Sequence, residues 1–427
     1  ALAWSVPATA ADADQDRVSA ATAMGATAIG TFYDARNGSP IWFAGGEQQA
    51  AYRLVDVLAT SGLDGIDPRL FNIRALQKAV RRAGNGNPGD IQRADRMLSD
   101  AFVRYVAALR QGVSSEWQFI DREAAPAVPQ ASLLLRQAAA TGSLSSFVER
   151  MPWMHESYAG LRVALAEAER RGDRTAAARL RINLERIRGL PSSGRYVMVN
   201  TAAQRLYMYE DGHVVDWMRV VVGKPAQPTP MMAALIRYTA VNPYWNLPND
   251  LVAERIAPNV VKQGLSYLKA KGYVVLSDWG DDPARIDPAK VDWKAVAAGK
   301  TEVRVRQNPG PANAMGRMKF MFPNKAGVYL HDTPNKELLG EDARLFSAGC
   351  VRLEDAPRLA KWLYGRPLKV TKGMKPEQHV DLDQPVPVYL AYLTAVPSGS
   401  QTVFYDDIYG RDRARLAAAS VNRIAAR

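Results

Sequence analysis

At Pro191-Ser192-Ser193-Gly194 the hydrophobic period of this 427-residue chain changes from helical to alternating. That switch divides the chain into a helical part and a mainly β part. Upstream, Leu98, Phe102, Tyr105 and Leu109 recur at i, i+4, i+7 and i+11, and Leu180, Leu184 and Ile187 repeat the spacing. Such intervals gather each set on one face of a helix. The helix over 173–188 is expected to end at Gly189 in a left-handed cap, because Pro191 cannot continue it. Downstream, Tyr196 to Asn200, Arg205 to Glu210 and His213 to Val222 read as strands. The last two are joined by Asp211-Gly212, a hairpin-turn dipeptide.

The expected fold class is therefore α+β. The segments are an N-terminal stretch over 1–14, a helical scaffold domain over 15–190 and a β-rich domain over 191–427. At about 246–312 that domain carries a polar, Pro/Gly-rich insertion with short helical pieces at Leu251 to Ile256 and Gln263 to Ala270. An insertion this long is usually a lid or subdomain rather than a bare loop. After it, Gly327 to Leu330 reads as a short strand ending at His331, and Cys350 to Leu353 as another. Asp355 then caps a helix from Ala356 to Tyr364 that Gly365 ends. A strand from Val386 to Leu393 and a basic helix from about Asp412 complete the chain.

Composition removes several function classes. Hydrophobic residues make up 47% and charged residues 23%, which excludes collagenous and disordered chains. No stretch approaches the ~18 consecutive apolar residues of a membrane span. With 55 Lys and Arg against 43 Asp and Glu, the net charge of +12 favours a polyanionic environment. A nucleic acid is disfavoured as that partner, because the chain lacks a basic run, a zinc-finger spacing or an aromatic-basic RNA motif. One cysteine, Cys350, excludes an intramolecular disulfide and a cysteine-based metal cluster. His155, His213 and His379 have no metal-ligand spacing, and no Gly-Lys-Ser/Thr follows Gly310. No metal or organic cofactor is implied. Ala8-Thr9-Ala10 ahead of an Ala/Asp stretch resembles the small-residue end of a signal peptide, so the protein is expected to be exported, with an Ala-rich tail as the plain alternative.

The chemistry concentrates in His331-Asp332-Thr333-Pro334 and Ser347-Ala348-Gly349-Cys350-Val351-Arg352. A cysteine is a nucleophile as thiolate, and a neighbouring imidazole can store a thiolate–imidazolium pair. His331 at the end of one strand and Cys350 at the start of another can meet, because adjacent strands lie ~4.8 Å apart. Small Ala348 and Gly349 let a carbonyl approach the backbone N–H groups, a potential oxyanion hole. Arg352, two residues beyond Cys350, is placed to hold a carboxylate or orient the loop. On residue types alone an inert buried thiol remains the alternative.

The run Tyr329-Leu330-His331-Asp332-Thr333-Pro334, with Ser347-Ala348-Gly349-Cys350-Val351-Arg352 following, resembles the active-site motif of the L,D-transpeptidases (YkuD-type catalytic domain). The large Gram-negative subtype is the better fit. Asn242-Pro243-Tyr244-Trp245-Asn246-Leu247-Pro248, Asn313 to Phe320 and Asp407 to Asp412 resemble its landmarks, and the likeness reaches back to Phe32 and Tyr33. Two departures stand out: Ala348 occupies a position where many small members have His, and the peptidoglycan-binding module common in large members is missing between scaffold and catalytic domain.

The resemblance implies a periplasmic enzyme of cell-wall biogenesis. Cys350 is the nucleophile and His331 the general base, with the Asp332 main chain orienting the imidazole. Ser347 bonds within the site, the Gly349 and Cys350 amides face the oxyanion, and Tyr329 and Trp245 line the substrate groove beneath the insertion. The donor is a stem tetrapeptide cut between meso-diaminopimelate and D-Ala, and the acceptor a diaminopimelate amine. Implied partners are peptidoglycan stem peptides, carbapenem inhibitors and other cell-wall synthases or hydrolases. A carboxypeptidase or cross-link hydrolase using the same thiol, a lipoprotein-anchoring enzyme and a non-catalytic wall-binding scaffold are the alternatives.

Overall fold

The computed structural model describes residues 27–425 apart from 47, 281, 372 and 400. The expected segment 1–14, with its signal-peptide-like alanines, lies outside the described residues. The chain forms two compact units. The first holds the residues up to Arg195, the hairpin tip Tyr209–Val215 and the chain from Ala391 onward; the second holds Tyr196–Met208 and Asp216–Leu390. Among the described residues no helix is long and apolar enough to cross a membrane.

The first unit is built from α1 (27–34), α2 (Gln49–Ala59), α3 (Ile73–Ala83), α4 (Pro88–Gln111), α5 (Ala131–Ala140), α6 (Leu144–Arg150), α7 (Ser157–Arg170) and α8 (Arg174–Ile187), with a two-residue strand β1 (Gln118–Phe119). Helix α4 is the central one. Asn87 caps it by accepting from Gly89 N and Asp90 N at 3.0 and 3.2 Å, an arrangement worth about 1 kcal/mol. Its Leu98, Phe102, Tyr105 and Leu109 are buried, as their spacing predicted. Phe102 meets Trp42 and Trp153 edge-on at 5.5 and 4.9 Å.

Gly189 corrects one expectation, for it does not adopt the left-handed conformation. What demands glycine is space. A Cβ there would lie 2.3 Å from the Trp117 indole nitrogen, which donates to the carbonyl of Arg186 in the last turn of α8.

In the second unit β2 (Tyr196–Asn200), β3 (Arg205–Glu210) and β4 (His213–Gly223) fall where alternation placed them. The β3–β4 turn has both central residues at positive φ, Asp211 at 49° and Gly212 at 83°, the geometry that matches strand twist. Strand β5 (Met232–Val241) leads into a small second sheet of β6 (Trp245–Asn246), β7 (Tyr273–Leu276), β8 (Arg285–Ile286) and β9 (Arg304–Gln307), ordered β6-β9-β7-β8. Around it lie α9 (Asn249–Leu251), a π-helical turn Val252–Ile256, α10 (Ala257–Gln263), α11 (Ser266–Lys271) and α12 (Trp293–Ala297). Leu247, Ile256, Val260, Leu268, Val296 and Val305 give this insertion a hydrophobic core of its own, so it folds as a subdomain.

The chain then returns to the main sheet with β10 (Met318–Met321), β11 (Leu330–His331), β12 (Leu345–Ser347), β13 (Val351–Leu353), the helix α13 (Ala356–Tyr364) and β14 (Gln378–Ala391). Strand order runs β5-β10-β11-β13-β4-β3-β2-β14, and β14 pairs again with β5, closing the sheet on itself as a barrel. Asp355 accepts from Arg358 N at 3.0 Å and Gly365 has φ 66°, so the α13 start and stop signals act as read.

Beyond β14 come the hairpin β15 (Ala395–Ser398) and β16 (Gln401–Phe404) and the helix α14 (Arg411–Ala425). Sequence grouped this segment with the β-rich domain, whereas in the structure it belongs to the helical unit. Buried polar groups explain the difference. Thr394 N donates to Asn183 on α8 at 2.8 Å, Thr394 Oγ1 donates to Asp412 at 2.6 Å, and Asp412 pairs with the fully buried Arg186 of α8.

Candidate active site

One rung of the main sheet carries the chemistry. Strand β11 runs parallel to β13 with His331 opposite Arg352, and antiparallel to β10 with Lys319 opposite His331; Arg352 in turn faces Val221 of β4. Paired residues project from the same face, so Arg352, His331 and Lys319 line one side in that order. Cys350 immediately precedes β13 and, two residues from Arg352, lies on the same side. The ladder continues past β11, with Val351 N donating to Tyr329 O at 3.1 Å. The structure therefore brings Cys350, His331, Arg352 and Tyr329 together.

The turn before Cys350 is held from both sides. Ser347 Oγ donates to Cys350 O at 2.5 Å and accepts from Gly349 N at 3.1 Å. The Gly349 amide, expected to face an oxyanion, is engaged by Ser347 instead. Cys350 N has no acceptor among the described residues, so it is the open donor at this turn. Gly349 sits at φ 112°, which only glycine adopts without strain. Thr229, fully buried, donates to Gly349 O at 2.8 Å and accepts from Gly223 N at 2.9 Å. Sequence reading missed Thr229, because no local signal marks a hydroxyl that acts 120 residues away.

His331 is buried, with Nδ1 at 2.5 Å from Asp332 O. That carbonyl can only accept, so Nδ1 carries the proton and Nε2 keeps its lone pair. The Asp332 carboxylate faces elsewhere, accepting from Arg317 N at 2.9 Å and from Lys336 Nζ at 2.8 Å. A Cβ on Gly316 would come 2.5 Å from that carboxylate, so glycine is needed for the loop to close on it. Lys336 was not legible beforehand, and Gly316 stood only within the Asn313 to Phe320 run, with no role of its own.

Charges around the pair favour neutral forms. Burial first, then the positive Arg352 and Lys319, push His331 down to about 3 against the opposing pull of the Asp332 carbonyl. Burial pushes the Cys350 thiol up, despite Tyr329 and the two cations. A stored thiolate–imidazolium pair, expected from sequence, does not suit this environment; a neutral thiol beside a neutral imidazole does. The Sγ points to Gly327 O at 3.7 Å, and Tyr329, whose carbonyl accepts from Val351 N, is half-buried beside it. The Tyr329 ring stands 5.9 Å from that of His331 and 5.7 Å from Lys319 Nζ, which pairs with Glu377 at 2.9 Å.

Trp245 is half-buried, paired with Gln307 and packed on the core of the insertion; these contacts are structural. Among the described residues no group of three or more His, Cys, Asp or Glu is placed to hold a metal ion.

Comparison with known proteins follows the same division of the chain. Residues 194–388 match the family model of the L,D-transpeptidase catalytic domain, YkuD, and residues 27–165 that of a scaffold domain. A curated Haemophilus influenzae protein that carries a provisional L,D-transpeptidase name is 34% identical over 251 residues, 57% of this chain and 50% of that protein. The chain thus spans about half the length of this relative. Among solved structures, the Ldtfm-avibactam carbamoyl enzyme is 17% identical at TM-score 0.23, covering 47% of this chain and 51% of its own. An L,D-transpeptidase from Mycobacterium smegmatis is 17% identical at TM-score 0.22, covering 46% and 58%.

Proposed function

From the match of residues 194–388 to the L,D-transpeptidase catalytic-domain model and of 27–165 to a scaffold-domain model, we propose that the protein is an exported peptidoglycan L,D-transpeptidase of the YkuD family acting through Cys350. One observation carries this reading: the thiol stands one strand from a buried imidazole whose Nδ1 is tied to a main-chain carbonyl, leaving Nε2 as the base.

The Cys350 thiol attacks the carbonyl joining meso-diaminopimelate to the terminal D-Ala of a stem tetrapeptide. As the S–C bond forms, the thiol proton passes to His331 Nε2. Because both groups start neutral, this transfer accompanies attack rather than preceding it. The oxyanion is met by the Cys350 amide, with the Tyr329 hydroxyl beside it; one such donor is worth roughly 2.7–4 kcal/mol of barrier. His331 returns the proton to the departing D-Ala amine, leaving a thioester. A diaminopimelate amine of a second stem then attacks, its proton moves to His331 and on to the sulfur, and a diaminopimelate–diaminopimelate cross-link is released with the thiol restored. In this scheme Asp332 acts through its main chain, Ser347 and Gly349 shape the nucleophile's turn, and the insertion with Trp245 covers the substrate. The positive net charge suits a carboxylate-rich polymer in the periplasm.

Mass spectrometry of disaccharide-tetrapeptide incubated with the protein tests this. A cross-linked dimer lacking one D-Ala, absent with Cys350→Ala, is the expected product. Tripeptide alone means water is the acceptor and the protein a carboxypeptidase; unchanged substrate from folded protein means a wall-binding role. Carbapenems, which offer a strained carbonyl to the same sulfur, should add their mass to the wild type alone.

A further inference from the structure

Arg352 is the member of the basic rung that has no counter-charge. Lys319, two strands away, is paired with Glu377 at 2.9 Å, whereas among the described residues no carboxylate pairs with Arg352. The insertion supplies a second guanidinium, Arg255, which makes no ion pair among the described residues; the neighbouring Glu254 is engaged by Lys224. Its position is fixed by its neighbours. Arg255 lies in the π-helical turn Val252–Ile256, a distortion that recurs at functional sites. The adjacent Glu254 pairs with Lys224 at 2.9 Å, and Lys224 N donates to Ser347 O at 2.9 Å, on the turn that presents Cys350. This chain of contacts holds the Arg255 turn beside the nucleophile loop.

Two half-buried guanidiniums that make no ion pair among the described residues repel one another, and burial together with the charge of Arg255 holds Arg352 below its ordinary value. An anion between them removes the repulsion and gains charge-assisted hydrogen bonds in the fork geometry that carboxylates match. Arg352 is two residues from Cys350, about 6.6 Å along an extended strand. An anion there lies within one or two side-chain lengths of the scissile carbonyl.

We infer that Arg255 of the insertion and Arg352 of β13 form a seat for a carboxylate of the acyl donor, so that the insertion closes on a substrate bearing a free acid next to the bond that Cys350 attacks. The inference rests on the acyl-transfer reading above. Two carboxylates of a stem tetrapeptide flank that bond, that of the terminal D-Ala and that of the diaminopimelate side chain; they share the chemistry and differ in which amide abolishes it. Glu254 and Lys224 position the turn.

The test compares three disaccharide-tetrapeptides: the free diacid, the diaminopimelate amide and the D-Ala amide. Calorimetry reads their binding to full-length Cys350→Ala protein, and intact-mass kinetics read acylation of the wild type. One amide is expected to bind roughly ten-fold or more weakly than the diacid, the scale of a lost charge-assisted hydrogen bond. Which amide it is identifies the carboxylate. Adding Arg255→Gln to Cys350→Ala should erase that difference with an unchanged unfolding temperature, while Arg255→Lys should retain part of it. Equal binding of all three donors, no binding of any, or a preference that survives Arg255→Gln overturns the seat. A carboxylate preference in binding without acylation of the wild type leaves the seat standing and overturns acyl transfer instead.

Discussion

At the scale of single residues, the environment of Cys350 decides how it reacts. A low-pKa thiolate needs partial exposure and a nearby cationic histidine, yet here His331 is held neutral and burial raises the thiol. Since the folded value of the thiol lies above its ordinary one, less thiolate is present at any given pH than in free cysteine. Alkylation of Cys350 by iodoacetamide should therefore rise with pH toward a midpoint above the ordinary thiol value of ~8.5, with no plateau at pH 5–6. A reactive plateau reaching below pH 7 would establish the stored ion pair instead. Cys350 and His331 were legible as a candidate pair because cysteine and histidine are rare residue types in this chain and fall in a tight motif. Thr229 was not, because a buried hydroxyl bridging Gly223 and Gly349 has no signature of its own.

Elements were legible where period and punctuation agree. Helix α13, framed by Asp355 and Gly365, and the β3–β4 hairpin, turning at Asp211-Gly212, follow from capping and turn geometry that involve only near neighbours. Strand β11 shrinks to two residues because its ladder with β13 pairs only Leu330 and His331, and β14 extends upstream to Gln378 because β5 offers a partner there. Neither limit is local. Gly189 shows the same divide: its identity suits a left-handed cap, but contact with Trp117 is what excludes a side chain. Gly189→Ala should lower the unfolding free energy by about 1–3 kcal/mol, the cost of overpacking a closed site, measured as a reduced urea midpoint at unchanged slope. An unchanged midpoint would mean that the indole moves aside freely.

At the scale of the whole molecule, the first unit is closed by chain from both ends of the sequence. Asp412 accepts from Thr394 and pairs with Arg186, whose guanidinium also bonds Glu116 at 2.8 Å. Removing one member of a buried charge network leaves the other uncompensated, at a cost of roughly 3–5 kcal/mol. Asp412→Ala should thus lower the first thermal transition of the full-length protein substantially, with a smaller loss for Asp67→Ala, whose carboxylate pairs with the exposed Arg69. Equal behaviour of the two variants would show that the C-terminal segment adds nothing to the helical unit.

Sequence by itself determined the class of the fold, the place where helices give way to strands, and the identity of the thiol and its histidine, because periodicity, caps and rare reactive residues act over a few positions. Tertiary structure alone decided that the Asp332 carbonyl meets the His331 ring, that Ser347 engages the Gly349 amide, that residues past Leu390 return to the helices, and that the Glu254 turn of the insertion is tied to Lys224. Each of these depends on which distant groups share one buried volume, where an unsatisfied charge or hydrogen-bonding group is costly and must find its partner from any part of the chain.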